Sequence, residues 1–137
     1  MINYILDACA LLAFLRNEPG ADIVAAVINL ANNDEAGIIM HKVNLLEVFY
    51  DLYRTIGKEK AVEIVSKIRK HPITINAEIT DEIFYEAGRL KALYKISLAD
   101  SFALAQALVF NGELLTSDHH EFDSIERLEP IIFRWIR

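Results

Sequence analysis

Short apolar runs, each followed by a stretch of helical spacing, recur along the whole chain and leave few folds open. Ile2–Leu6, Gly37–Met40, Ile73–Ile75 and Glu113–Thr116 read as strands, and Ile131–Phe133 as a fifth at an edge, where Pro130 is tolerated. Between them lie segments with helical periodicity: Ala8–Arg16, Ala21–Ala31, Val43–Ile56, Lys58–Lys70, Thr80–Tyr94 and Leu98–Val109. Their stops are chemically plain, with Asn17-Glu18-Pro19-Gly20, Asn32-Asn33-Asp34, Gly57, His71-Pro72 and Asn111-Gly112 at the boundaries. Apolar strands separated by helices predict an α/β fold: three layers, with a central, mainly parallel sheet of four to five strands flanked by helices. In such sheets ligands bind outside the C-terminal ends of the strands, at the point where strand order reverses.

That rule gathers four carboxylates. Asp7 closes the first strand, and Asp118 follows the fourth by two residues. Glu47 lies under two turns into the helix leaving the second strand. Asp100 is in the first turn of the helix preceding the fourth strand, and that helix must begin at the C-terminal edge to deliver the chain to the strand's far end. Asp100 also shares its helical face with Ala103, Leu104 and Ala107, so it is a carboxylate on an apolar stripe. Four acids at one edge repel one another and raise each other's pKa, and a hard divalent cation such as Mg²⁺ or Mn²⁺ relieves that repulsion. Each acid also has a plainer role open to it. Asp7 suits an N-cap, Asp100 completes a capping box begun by Ser97, Glu47 suits a solvated helix flank, and Asp118 suits a turn.

Composition narrows the class but not the chemistry. The chain has 137 residues, 53% of them hydrophobic, which suits one domain with a real core. No apolar run approaches the length needed to span a bilayer, and Asp7 interrupts the first one before any secretory leader could form. A single cysteine, Cys9, permits no internal disulfide and suits a reducing compartment, so a cytoplasmic location is expected. The net charge of −6 lacks the basic footprint usual in nucleic-acid binders, yet charge is unevenly spread. Lys42–Lys70 holds seven basic residues against four acidic, whereas Gly112–Glu126 holds five acidic and no Lys or Arg.

At the four acids the sequence resembles the PIN-domain ribonucleases, and among them the VapC-type toxins of toxin–antitoxin pairs. The resemblance runs over nearly the whole chain. Tyr4-Ile-Leu-Asp-Ala-Cys-Ala-Leu-Leu-Ala-Phe-Leu15 is similar to the family's strand–Asp–helix opening. Asn44-Leu-Leu-Glu-Val48 matches its second acidic motif, Ser97-Leu-Ala-Asp-Ser-Phe-Ala-Leu-Ala105 its third, and Leu114-Leu-Thr-Ser-Asp118 with Glu121-Phe-Asp123 its C-terminal pattern. Each alone is weak; four in order are specific. The resemblance implies that Asp7, Glu47, Asp100 and Asp118 are catalytic, metal-holding acids, with Thr116 in support and Asp123 as an outer acid. It further implies Mg²⁺ or Mn²⁺ as cofactor, RNA as substrate, a homodimer, and a cognate antitoxin protein as partner. One departure is Cys9, where many relatives carry a hydroxyl two residues after the first Asp; a thiol donates the weaker hydrogen bond. Cys9 sits at the start of a helix expected to be buried, and no base near it supports a nucleophile.

Lys42 and Arg54 are candidates to hold an RNA backbone, offsetting the acid charge. Tyr50 and Tyr53, with Arg54, suit such a surface, a dimer interface or ordinary packing. His119-His120 reads as a surface turn, since adjacent histidines point apart and no third is near. The competing function is a catalytically silent PIN-like module that keeps the fold and binds a partner. A phospho-acceptor domain is disfavoured, because Ile131–Arg137 offers only arginines where a lysine is needed.

Overall fold

The computed structural model describes residues 1–137. Five strands form one sheet: β1 (Ile2–Leu6), β2 (Ala36–His41), β3 (Thr74–Asn76), β4 (Glu113–Thr116) and β5 (Ile132–Trp135). Their order is β3-β2-β1-β4-β5, and every neighbouring pair is parallel. Seven helices connect them: α1 (Ala8–Leu15), α2 (Ala21–Asn32), α3 (Lys42–Ile56), α4 (Lys58–Ile68), α5 (Asp81–Leu93), α6 (Leu98–Val109) and α7 (His119–Leu128). The three-layer parallel α/β architecture expected from the alternation is therefore the one found, with the fifth strand at an edge.

The period of two along each strand divides the core. Tyr4 and Leu6 of β1, with Leu115 of β4, pack beneath Leu11, Val27, Val48 and Leu52. Ile5 and Leu114 point the other way, into Leu90, Leu104, Phe122 and Ile125. Both faces of the sheet are thus covered, which is why these strands read as continuous apolar runs instead of alternating ones.

Helix starts follow from local side-chain chemistry. Asp7, His41, Thr80, Ser97 and Asp118 each accept a hydrogen bond from a backbone N–H in the first turn of the helix that follows. Gly57, at φ +89, lets α3 stop and α4 start without a break in the chain.

One element was not foreseen. His119-His120 opens α7 instead of forming a surface turn. Only Phe122 and Ile125 of this helix are buried, and two apolar positions in a charged segment make too faint a periodic signal to see in sequence. The expected edges of β2, β3 and β5 also shift by one or two residues, as is usual where hydrogen bonding, not composition, sets the boundary.

Candidate metal centre

Strand order reverses between β1 and β4, since the chain leaves β1 for β2 on one side and reaches β4 on the other. Asp7 leaves the end of β1 and Thr116 ends β4, so both flank that crevice; Asp118 follows two residues later. Asp7 is 3% exposed, and Thr116 is fully buried. The Ala10 N–H donates to Asp7 Oδ1 at 2.8 Å, so Asp7 fills the N-cap role, with one carboxylate oxygen committed to it. The Asp118 N–H donates to Thr116 Oγ1 at 3.1 Å, and the Glu121 N–H donates to Asp118 Oδ1 at 3.2 Å. Asp118 is thereby fixed at the junction of β4 and α7. Asp100 sits in the first turn of α6, its N–H donating to the Ser97 hydroxyl at 3.1 Å.

The electrostatics show that the acids share a neighbourhood. Burial pushes the Asp7 carboxyl up to about 7; the Thr116 hydroxyl and the Ala10 N–H pull it down, and the charges of Asp100 and Asp118 raise it further. Asp100 is pushed up to about 6 by burial, against the lowering influence of Ser97, with Asp118 and then Glu121 adding to the rise. Glu47 is raised by burial and by Asp100, Asp118 and Asp51, while the Tyr50 hydroxyl lowers it. Cys9 reports on all four: desolvation and then the charges of Asp7, Asp118, Asp100 and Glu47 push its thiol up to about 12. Among these principal influences on the acids no cation appears.

The donors are all carboxylate oxygen, which is the chemistry that hard divalent cations select. No three acid, histidine or cysteine side chains stand drawn in to ligand spacing. The group is a set of donors that act on one another electrostatically, not a closed cage. In donor type and charge the residues present fit a divalent ion.

Other candidates distribute differently. Asp123 is exposed and its Oδ1 bonds His119 Nδ1 at 2.8 Å, which turns it towards its own helix; Glu121 is the α7 acid whose charge reaches Asp100. His119 is also occupied, stacked on Trp135 with ring centroids 3.8 Å apart. Cys9 is exposed although most of α1 is buried; it stands in the first turn, where its thiol meets the charges of the acids. Lys42 stands exposed in the first turn of α3, and Arg54 lies over the Tyr50 ring at 5.0 Å. Tyr50 and Glu121 were not singled out for the site in sequence. Spacing could have found Tyr50, three residues after Glu47 on one helix; finding Glu121 needed knowledge of α7.

Comparison with known proteins bears on the fold and the family. Among curated proteins none matches in sequence. Among solved structures, the chain is similar to VapBC2 from Rickettsia felis bound to a DNA fragment from its promoter, at 17% identity and TM-score 0.71, covering 97% of this chain and 98% of that one. It is similar to a chain of a toxin–antitoxin complex from Klebsiella pneumoniae at 18% identity and TM-score 0.64, with 89% and 92% covered. It is also similar to VapC20 from Mycobacterium tuberculosis, a sarcin–ricin-loop-cleaving toxin, at 14% identity and TM-score 0.67, with 88% and 94% covered. At such identities these likenesses establish the fold. The model of the PIN domain matches residues 4–128, a span that takes in all four acids and the strands that carry two of them. This chain belongs to the PIN-domain family.

Proposed function

We propose that this protein is a metal-dependent endoribonuclease, the toxin of a toxin–antitoxin pair. The observation that carries the reading is a buried carboxylate, Asp7, at the reversal point of a parallel sheet, with the charges of Asp100 and Asp118 acting on it and the same two acting on Glu47, and no cation among their main influences. Membership in the PIN family and the likeness to toxin chains support it.

Asp7, Glu47, Asp100 and Asp118 would hold Mg²⁺ or Mn²⁺. The chemistry supplied by the bound ion is Lewis-acid: acidification of water and neutralisation of charge on the phosphate. Asp7 is the rigid member, held by the Ala10 N–H and the Thr116 hydroxyl. Asp118 is fixed by Thr116 and by its own capping bond, and Asp100 by Ser97. Glu47, half-buried beside the Tyr50 hydroxyl, is the member with most freedom to follow the substrate. Hydrolysis by in-line attack of water leaves a 5′-phosphate and a 3′-hydroxyl. Lys42 and Arg54 are the exposed cations on α3 available to the RNA backbone.

A homodimer and an antitoxin are the proposed protein partners. For the second copy, the structure offers an apolar groove of about 770 Å³ between α5 and α6, lined by Ile79, Phe84, Tyr85, Gly88, Leu98 and Phe102. Acids stand at the start of α5 (Asp81, Glu82) and bases at its end and just beyond (Lys91, Lys95), so two antiparallel copies would face opposite charges. A Phe84→Glu variant that sediments as the wild type does would remove that groove from consideration.

The deciding experiment is cleavage of a structured RNA pool with Mn²⁺ or with EDTA, alongside Asp7→Asn. Cleavage that needs Mn²⁺ and is lost in Asp7→Asn supports the nuclease. Cleavage surviving both sinks the four-acid mechanism. Mn²⁺ binding without any cleavage favours the silent interaction module.

A further inference from the structure

Two of the four acids have no strand to hold them. Asp7 and Asp118 follow directly from β1 and β4, whereas Glu47 and Asp100 ride on α3 and α6, helices that come from different parts of the chain. Something must set the separation of those helix starts, because an error of an ångström there moves a carboxylate out of reach of a shared ion.

Asn44 lies three residues before Glu47, about one turn away on α3, and is 1% exposed. Its Nδ2 donates at 2.9 Å to the carbonyl oxygen of Ala99, the residue immediately before Asp100. This hydrogen bond joins residues 55 apart in sequence and ties the turn carrying Glu47 to the turn carrying Asp100. Because the partner is a carbonyl, the amide can face it only with its NH₂, so the side chain's orientation is fixed. The other end of the amide has no protein donor: Oδ1 is buried and unpartnered. An unpaired buried acceptor costs at least as much free energy as a neutral hydrogen bond returns. As a stabilising element Asn44 is therefore a poor choice beside an apolar side chain. As a spacer between two acids it supplies what an apolar side chain lacks, a directional bond of defined length.

We propose that Asn44 is a positioning residue, a clamp between α3 and α6 that sets Glu47 and Asp100 at the spacing a shared divalent ion requires. The inference rests on the metal-centre reading of these acids and names a residue outside them. It concerns affinity for the ion and the order of the first turn of α6, neither of which needs an RNA substrate to be measured.

The test uses full-length metal-free protein and Mn²⁺ alone as the probe, followed by calorimetry, with Asn44→Leu and the smaller Asn44→Ala as variants. Gln106→Leu is the control: it removes the other buried amide with an unpartnered atom, further along α6. Thermal midpoints establish that each variant is folded, and amide hydrogen exchange over residues 98–103 reads the clamp without any metal. The expected result is a Mn²⁺ affinity lower by roughly 10- to 100-fold in both Asn44 variants, with faster exchange over 98–103 and a midpoint near that of wild type. Gln106→Leu is expected to bind Mn²⁺ within about twofold of wild type, the scatter of a site left undisturbed. If Asn44→Leu and Asn44→Ala bind Mn²⁺ as wild type does, or if Gln106→Leu loses as much affinity as they do, the clamp is overturned and Asn44 is only packing. A wild type that takes no Mn²⁺, with exchange still dependent on Asn44, overturns the metal reading and with it the positioning role, leaving a purely structural bond.

Discussion

Two groups of carboxylates in this protein have opposite fates. Near the sheet edge, burial first and then the charges of neighbouring acids raise Asp7, Glu47 and Asp100 above the usual carboxylate range. Between α5 and the turn before β5, Glu86 and Glu129 share Arg89 instead. Its guanidinium bonds Glu129 Oε1 at 2.7 Å and Glu86 Oε2 at 2.9 Å, and the Tyr94 hydroxyl donates to Glu129 Oε2 at 2.6 Å. Glu129 is accordingly held below the usual range, first by Arg89, although its side chain is only 7% exposed. The chemical group is the same and both sites are partly buried. What differs is whether the fold supplies a cation. Where it does, the acid is a fastener between elements; where it does not, burial and neighbouring acids raise its pKa.

The largest expected effect at the unpartnered group is on activity. Asp7→Asn keeps the capping geometry but removes a charge at the centre of the set, and should lower Mn²⁺-dependent RNA cleavage by at least ~10³-fold, about 4 kcal/mol of transition-state stabilisation. The same variant should raise the thermal midpoint of metal-free protein at pH 8, because a buried charge has gone. A lowered midpoint would mean that Asp7 is a structural cap before it is anything else.

Acidity should move the two groups in opposite directions. Asp7 titrates near 7 and Asp100 near 6 in the folded chain, against about 4 when unfolded. Between those values the folded state holds protons that the unfolded state has lost, so stability rises as pH falls from 8 towards 5. For Asp7 alone the full span is on the order of 4 kcal/mol, of which about 2 kcal/mol falls between pH 8 and pH 5.5. Urea unfolding of metal-free protein at pH 8 and pH 5.5 measures it, and saturating Mn²⁺ at pH 8 should remove much of the difference. Glu129, being lowered, contributes in the other sense, losing its stabilisation only as pH falls below the usual carboxylate range. A metal-free protein most stable at pH 8 would contradict the comparison.

Smaller effects sharpen it. Arg89→Ala strands Glu129 and should cost roughly 1–3 kcal/mol in urea unfolding while leaving Mn²⁺ affinity unchanged. Loss of Mn²⁺ binding in that variant would show that the two carboxylate groups are coupled. Smallest of all, Glu63→Gln breaks an exposed helical pair with Lys67 and should leave the urea midpoint indistinguishable from wild type.

Much of the site's inventory was legible because strand ends are local features. Ile2–Leu6 followed by Asp7, and Glu113–Thr116 followed by Asp118, place two acids by counting, and Ser97 before Leu98–Val109 places a third. The helix α7 was not legible, since only Phe122 and Ile125 mark its buried side, and with it went Glu121's nearness to Asp100 and Asp123's engagement with His119. Cys9 stands exposed in the first turn of the otherwise largely buried α1, beside the acids, a placement its apolar neighbours in sequence do not reveal.

The sequence by itself determined the strand–helix alternation, the caps and the identity of the acids, because these depend on interactions spanning a few residues. Tertiary structure alone decided the order β3-β2-β1-β4-β5, which opens the crevice between Asp7 and Asp118. It alone brought Asn44 to Ala99 and Arg89 to Glu129. Those pairings join residues 40 to 55 positions apart, and no local periodicity encodes them. They exist because burying both faces of one parallel sheet leaves the helices only a few ways to pack, and the polar groups carried to their ends then find partners or go without.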